Sequence, residues 1–380
     1  MSSIEKFLER VRAFARGPVS DAAPDWSMGK TPKPQLFKTA ARLGLTGVMT
    51  PVEHGGLGYG FTTLAKACEA LAAVDFGFAM SLVNTQNVAF RLSKSASVRV
   101  QDTYLPGLLG GKISACTALT EPSAGSDFAA VTTRATQTAE GWKISGEKRW
   151  IINGRHAGLA MVFAQCGQAG DASSIAGFLV DLNQPGVRRY PIDTVFSQTS
   201  MGTGGFVLED VAVPADCLLL PPGGAFKSVL IEINAARAYV AAMCNAMLEA
   251  TILQAADYGA HRESFGAPLG QHQAWRAPLG AAQADLAASR ALTAGAVALI
   301  EADDDAQLAA AQAKIVAVEA AQRHIPNMLH AMGAAGLSSD FCFSRHLGGA
   351  QIAGFTDGAT SILRDRVARS TQPRAARRAT

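Results

Sequence analysis

The hydrophobic period changes twice along this 380-residue chain, and that order constrains the fold more than any single motif. Residues 1 to about 113 place apolar side chains three and four apart over 4–15, 34–44, 62–73 and 76–92, which predicts helices. The Gly- and Pro-rich "TPVEHGGLGYG" (50–60) interrupts them. From about 114 the spacing becomes that of strands: "WKISGEKRWIING" (142–154) reads as a hairpin, followed by "LAMVFAQC", "IAGFLVDL" and "GFVLEDVAV". After about 224 Ala-rich helical spacing returns over 225–262, 272–301, 305–334 and 358–369. Helices, then strands, then helices is not the alternation of a doubly wound sheet. The expected architecture is a multi-domain α+β protein. An N-terminal α-helical domain covers 1–114, a middle β domain of barrel or sandwich type covers 115–222, and a C-terminal four-helix bundle covers 223–380.

Composition narrows the functional classes. Hydrophobic residues make up 48% and charged residues 17%, the balance of a well-buried globular chain. A formal net charge of +3 gives no electrostatic footprint for nucleic acid, and the basic cluster Arg374, Arg377 and Arg378 reads as a solvated tail. The apolar stretches are broken by Lys227, Glu232, Arg237 and Arg290, so no membrane span is expected. Six scattered cysteines without a CxxC pair suit a reducing compartment, and with no secretory signal the chain is expected in the cytoplasm. The seven histidines show no metal-ligand spacing, so no metal is expected.

Several fingerprints fail. "GGLGYG" follows no clear strand and "MGTGGF" (201–206) lacks the required spacing, so neither reads as a dinucleotide loop. No phosphate-binding GxxxxGK[ST] and no G-x-S-x-G elbow occur. "ALTEPSAGSD" (118–127) is a strand running into a turn of hydroxyls and small residues, whose backbone can approach a flat, polar-edged ligand. "GEKRWIING" (146–154) brings Trp150, a broad apolar face, beside a strand edge. On chemistry alone the two segments describe either a cofactor wall or a plain β core with a buried tryptophan. Asp357, in "FTDGATSILRDRVAR", stands just before a helical run and reads either as a helix cap or as a group that does chemistry.

Taken in order, "TPVEHGGLG", "LTEPSAGSD", "VAVPADCLL", "RAYVAAMCNAML" and "HRESFGAPLGQHQ" (261–273) resemble the acyl-CoA dehydrogenase family across nearly the whole chain. The resemblance implies noncovalent FAD and an acyl thioester, bound to coenzyme A or to a carrier protein. A carboxylate removes the proton α to the thioester while a hydride leaves the β carbon for the flavin. Leu119 and Thr120 would then border the flavin ring, Trp150 would pack on it, and Ser126 would face the ligand. Arg262, Phe265 and Gln273 resemble residues that reach the FAD of a neighbouring subunit, which implies a homodimer or homotetramer. Arg237 and Arg369 match positions lining the coenzyme A or acyl path; an arginine taken singly is more often in a surface ion pair. An electron acceptor is also implied, for which an electron-transfer flavoprotein is a candidate.

The chain departs from the family pattern around one site. Asp357 stands where the family has a catalytic Glu, one methylene longer, and a misplacement of that order can cost about 10²-fold. The alternative base position before Arg237 holds Ala236, and Glu232, one turn earlier, reads as a solvated helix residue. Ile152 replaces a hydroxyl that contacts flavin N5, His330 a Gln near the FAD diphosphate, and Ala334 a close-approach glycine. Gly348 and Gly349 replace an Arg-Asp pair that braces the catalytic segment. Beside acyl thioester dehydrogenation, a flavin-dependent monooxygenase and a catalytically degenerate subunit on the same fold remain alternatives.

Overall fold

The computed structural model describes residues 2–372 apart from 169 and 197. The basic residues Arg374, Arg377 and Arg378 lie outside the described residues. The chain forms two compact units, one of Met1–Arg10, Gly29–Thr63 and Gly77–Ile231, the other of Val11–Met28, Leu64–Phe76 and Glu232–Thr380.

Helices lead, as the periodicity predicts: α1 (Ser3–Phe14), α2 (Ser20–Ser27), α3 (Pro34–Arg42), α4 (Phe61–Ala72), α5 (Phe76–Ser95) and α6 (Val98–Leu109). In α1 the apolar stripe Phe7, Leu8, Val11 and Phe14 is buried at three- and four-residue spacing. Two of these helices carry no clear signal in the sequence. Pro18 and Pro24 obscure α2, and Pro106 with Gly107 obscures α6, whose start is fixed by the Ser97 hydroxyl accepting from Val100 N at 3.3 Å.

The first unit is built on an eight-stranded sheet: β1 (Ala115–Ala118), β2 (Arg134–Thr138), β3 (Gly141–Ile151), β4 (Leu159–Gln165), β5 (Ile175–Asp181), β6 (Val187–Pro191), β7 (Gly204–Pro214) and β8 (Leu218–Leu220). The order is β6-β7-β3-β2-β4-β5-β8, with β1 parallel beside β4. β4 is buried along its whole length and β5 nearly so, matching their continuous apolar runs. The segment 142–154 is not a hairpin. β3 runs unbroken to Ile151 against β7, with register shifts between Ile144 and Gly146 and between Lys148 and Ile151. The true hairpin partner of β3 is β2. Gly146 marks a close approach instead of a turn: at φ 153, a Cβ there would stand 2.7 Å from Thr133 Cα.

The second unit holds the helix bundle: α7 from Glu232 to its end (the helix spans Ala225–His261), α8 (Gln273–Glu301), α9 (Gln307–Ala331), α10 (Phe343–Ala353) and α11 (Thr360–Ser370). α10 escapes the sequence reading because it is buried almost all round, through Phe343, Arg345, His346, Gly348, Gly349, Ala350 and Ala353, and so has little amphipathic contrast. Its close packing depends on size. A Cβ at Gly349 would stand 2.8 Å from Met247 Sδ and 3.0 Å from Phe76 Cβ. Polar pairs tie the long helices: Asn245 Nδ2 donates to Thr293 Oγ1 at 3.0 Å, and Arg290 pairs bidentately with Glu249 at 2.8 and 2.7 Å. No helix among the described residues is long and apolar enough to cross a membrane.

Candidate active site

Asp357 lies in the link between α10 and α11, at φ 54, followed by Gly358 at φ 103. Asp tolerates the left-handed region better than most residues, and Gly358 adopts it without a Cβ penalty. Three successive carbonyls of this turn are taken by cations. Lys314 Nζ donates to Thr356 O and Gly358 O, and Arg237 Nε donates to Asp357 O at 2.9 Å. Arg237 is itself fixed by Nη1 donating to Asn234 Oδ1 at 2.7 Å. The cap reading fails: α11 starts after Ala359 and has no side-chain cap. Asp357 Oδ2 is buried and has no hydrogen-bond partner.

Burial pushes the Asp357 carboxyl above the usual carboxylate range, against the pull of Lys314 and then Arg237. Burial also lowers the Lys314 ammonium to about 8, opposed by Asp357 and Cys244 and assisted by Arg237. Arg237 is brought down to about 10 by burial and by Arg366, with Asp357 opposing. The result is a desolvated carboxyl, held by its backbone, with a free oxygen and a raised affinity for a proton. Those are the properties of a general base.

In the first unit, residues 119–121 continue β1 alongside β3. Arg149 N donates to Thr120 O at 3.0 Å, and Lys148 Nζ donates to Leu119 O at 3.1 Å and to Glu121 Oε1 at 2.8 Å. The Lys148 and Glu121 side chains are 0% and 1% exposed. Glu121 also accepts from Thr132 N and Oγ1, both at 2.7 Å, and from Thr133 N and Oγ1 at 3.0 and 2.5 Å. Burial alone raises a carboxyl, but Lys148 and these donors outweigh it and hold Glu121 at about 2. The pair ties residues 119–121 to β3 and to the backbone at Thr132 and Thr133.

Trp150 sits at the second irregularity of β3, at φ 61, with 52% of its surface exposed. It is not the buried tryptophan of a plain β core. Asn153, at φ 62 and fully buried, anchors the bend: Nδ2 donates to Ser81 O at 2.8 Å and Ala115 O at 2.9 Å, and Oδ1 accepts from Ser81 Oγ at 2.5 Å. Ile152 is half-buried beside it, and Leu119 and Thr120 are half-exposed. Ser126 is exposed in the loop that follows. An exposed aromatic face beside rigid, half-open backbone fits a flat group with polar edges.

A third set gathers at one end of the α8–α9 pair. The short ribbon of β9 (Glu263–Ser264) and β10 (Ala267–Pro268) presents Phe265 at φ 51 and 96% exposed. Arg262 precedes it, Gln273 opens α8, and both are exposed. Trp275 Nε1 donates to Ala331 O at 2.8 Å, which brings the start of α8 to the end of α9, where His330 and Ala334 are exposed. Arg369 stands apart: it is 66% exposed and paired with Asp365 at 2.9 Å one turn away.

Glu121, Lys148, Asn153 and Lys314 carry no role in the sequence reading. Glu121, Lys148 and Asn153 lie inside the quoted motifs, where opposite charges near strand ends were the available signal. Lys314 had a quieter one, a lone cation on the small-residue face of α9. Glu232, read as solvated, is half-buried. Among the described residues no group of three or more His, Cys, Asp or Glu could hold a metal ion.

Family models match the chain along nearly its whole length. The N-terminal, middle and C-terminal domain models of acyl-CoA dehydrogenase match residues 2–112, 116–211 and 225–372. The chain belongs to the acyl-CoA dehydrogenase family. It is 29% identical over 329 residues to human mitochondrial short-chain specific acyl-CoA dehydrogenase, covering 86% of this chain and 80% of that one. To acyl-CoA dehydrogenase FadE12 of Mycobacterium tuberculosis it is 28% identical over 322 residues, covering 84% and 83%. The structure of butyryl-CoA dehydrogenase from Megasphaera elsdenii superposes with a TM-score of 0.91 at 25% identity, covering 97% and 98%. In this member of the family the glycines at 348 and 349 are both buried, and Gly349 has no room for a side chain. Lys314 and Arg237 are the groups that brace the Asp357 turn here.

Proposed function

We propose that this chain catalyses FAD-dependent α,β-dehydrogenation of an acyl thioester, with Asp357 as the base. The observation that carries the reading is the Asp357 carboxyl itself: buried, held through its backbone, and with Oδ2 unpartnered. A structural acid would be expected to spend its oxygens on hydrogen bonds, as Glu121 does.

In this reading Leu119, Thr120, Trp150 and Ile152 hold the flavin ring. Arg262, Phe265, Gln273, His330 and Ala334 reach the cofactor of a neighbouring subunit in a homodimer or homotetramer. When bound, FAD accepts the hydride that leaves the β carbon. Asp357 takes the α proton, and the electron pair left on the α carbon becomes the double bond. The shorter Asp reaches less far than Glu, so the thioester must seat closer to the turn. Ser126, Arg237 and Arg369 serve the substrate side, Arg237 mainly by fixing the base and Arg369 only by releasing Asp365. The three-part division at 114 and 222, a cytoplasmic setting and an electron-transfer flavoprotein as acceptor belong to the same proposal.

Product analysis tests it. With an artificial electron acceptor, the reading expects a thioester lighter by two hydrogens. A product that has gained oxygen instead would mark a monooxygenase, and an unchanged thioester across acyl chain lengths would overturn the reading.

A further inference from the structure

The turn that carries Asp357 places three consecutive carbonyls where they need donors, and one side chain supplies two of them. That side chain is Lys314, fully buried on α9 among Ala310, Ala311, Ala317, Val318 and Ala321. A lysine in such surroundings is costly unless its charge and donors are used. Here both carbonyl bonds go to the residues flanking a single carboxyl.

We propose that Lys314 is a positioning residue for the base: its ammonium grips the carbonyls on both sides of Asp357 and sets a positive charge beside the carboxyl. The proposal rests on the reading of Asp357 as the base. Lys314 bonds to main-chain oxygens only, so it acts through Asp357 and not on the substrate. The other charged or titratable groups facing this pair are Arg237 and Cys244 from α7, and Arg366 from α11 beside Arg237. Arg237 cannot replace Lys314, because it holds the central carbonyl alone.

The test compares the FAD-loaded parent with Lys314→Met, which removes charge and donors, and Lys314→Arg, which keeps both. Two readouts are taken across pH: the rate of anaerobic flavin reduction by an acyl-CoA, and the carbon-13 resonance of the Asp357 carboxyl, assigned by its loss in Asp357→Asn. For Lys314→Met the maximal rate is expected to fall about tenfold or more while the substrate concentration for half-maximal rate hardly changes. The acid limb and the carboxyl titration both move up by about one pH unit or more. Lys314→Arg returns both toward the parent. Unchanged titration and rate in a folded Lys314→Met protein overturn the proposal. Should Lys314→Met fail to fold, Lys314→Arg decides: a titration that stays with the parent supports the role, and one displaced upward overturns it. The carboxyl titration needs no thioester. Failure of every acyl-CoA to reduce the flavin therefore counts against Asp357 as base, and remains distinguishable from failure of Lys314 to govern it.

Discussion

Arg237 holds Asp357 by its main-chain oxygen, at 2.9 Å from Nε, and leaves the carboxyl Oδ2 buried without a hydrogen-bond partner. An ion pair through the carboxylate would have lowered its proton affinity and occupied the oxygen that the proposed base uses. Binding the backbone fixes position and keeps the acid available.

Asp357→Asn keeps the shape of the turn and removes the proposed base. Flavin reduction by an acyl-CoA is expected to slow by about 10²–10⁴-fold. Dithionite reduction of the same protein should be unaffected, and anaerobic stopped-flow absorbance reads both.

The pH dependence has a defined sign. Burial raises the Asp357 pKa over the opposition of Lys314 and Arg237, and a base in the proposed role works as the carboxylate. Reduction by substrate should therefore rise with pH through a value above the usual carboxylate range and be lost below it. The stability effect runs the other way. The native state binds this proton more tightly than the unfolded chain, so this group's contribution to stability improves as pH falls through the raised pKa. At pH 7 Asp357→Asn is expected to unfold at a higher urea concentration than the parent.

The Glu121–Lys148 pair is a structural device with a measurable cost when broken. Lys148→Met leaves a buried carboxylate without its counter-charge, a change worth about 3–5 kcal/mol in urea unfolding. Because the folded Glu121 sits at about 2 against an ordinary 4.5, its stabilising contribution is present above 4.5 and is lost as pH falls toward 2. The acid unfolding midpoint of the parent should shift toward neutral pH in Glu121→Gln.

Trp150 exposes half of its surface, so Trp150→Ala should cost little stability. Loss of its aromatic face is expected to weaken flavin binding by about tenfold, measured by equilibrium dialysis against free FAD.

Much of this was legible in the chain. The buried strands β4 and β5 announce themselves as continuous apolar runs, and the three long helices of the bundle as Ala-rich periodic segments. The motif residues around Leu119 and Trp150 lie together because residues 119–121 run alongside β3, a pairing that a hairpin over 142–154 does not anticipate. Other features depend on packing. A Ser-Gly step inside "KISGEKRW" looks like a turn, yet Gly146 lies within β3, where the partner strand shifts register. α10 carries two glycines and a buried polar face, so its pattern resembles no surface helix. Lys314 lies 43 residues before Asp357 in sequence, and only the fold of α9 against the α10–α11 link brings its ammonium to that turn. The Asp357 cap reading fails for the same reason: a dipeptide cannot show that its carboxyl is buried and that α11 starts after Ala359 with no side-chain cap.

The most direct measurement is anaerobic titration of the FAD-loaded protein with short, branched and long acyl-CoAs, following the visible flavin band, with Asp357→Asn alongside. The account predicts bleaching by at least one acyl-CoA and none on the same timescale in the variant. A flavin that dithionite reduces but no acyl-CoA bleaches, or a variant that bleaches as fast as the parent, would contradict it.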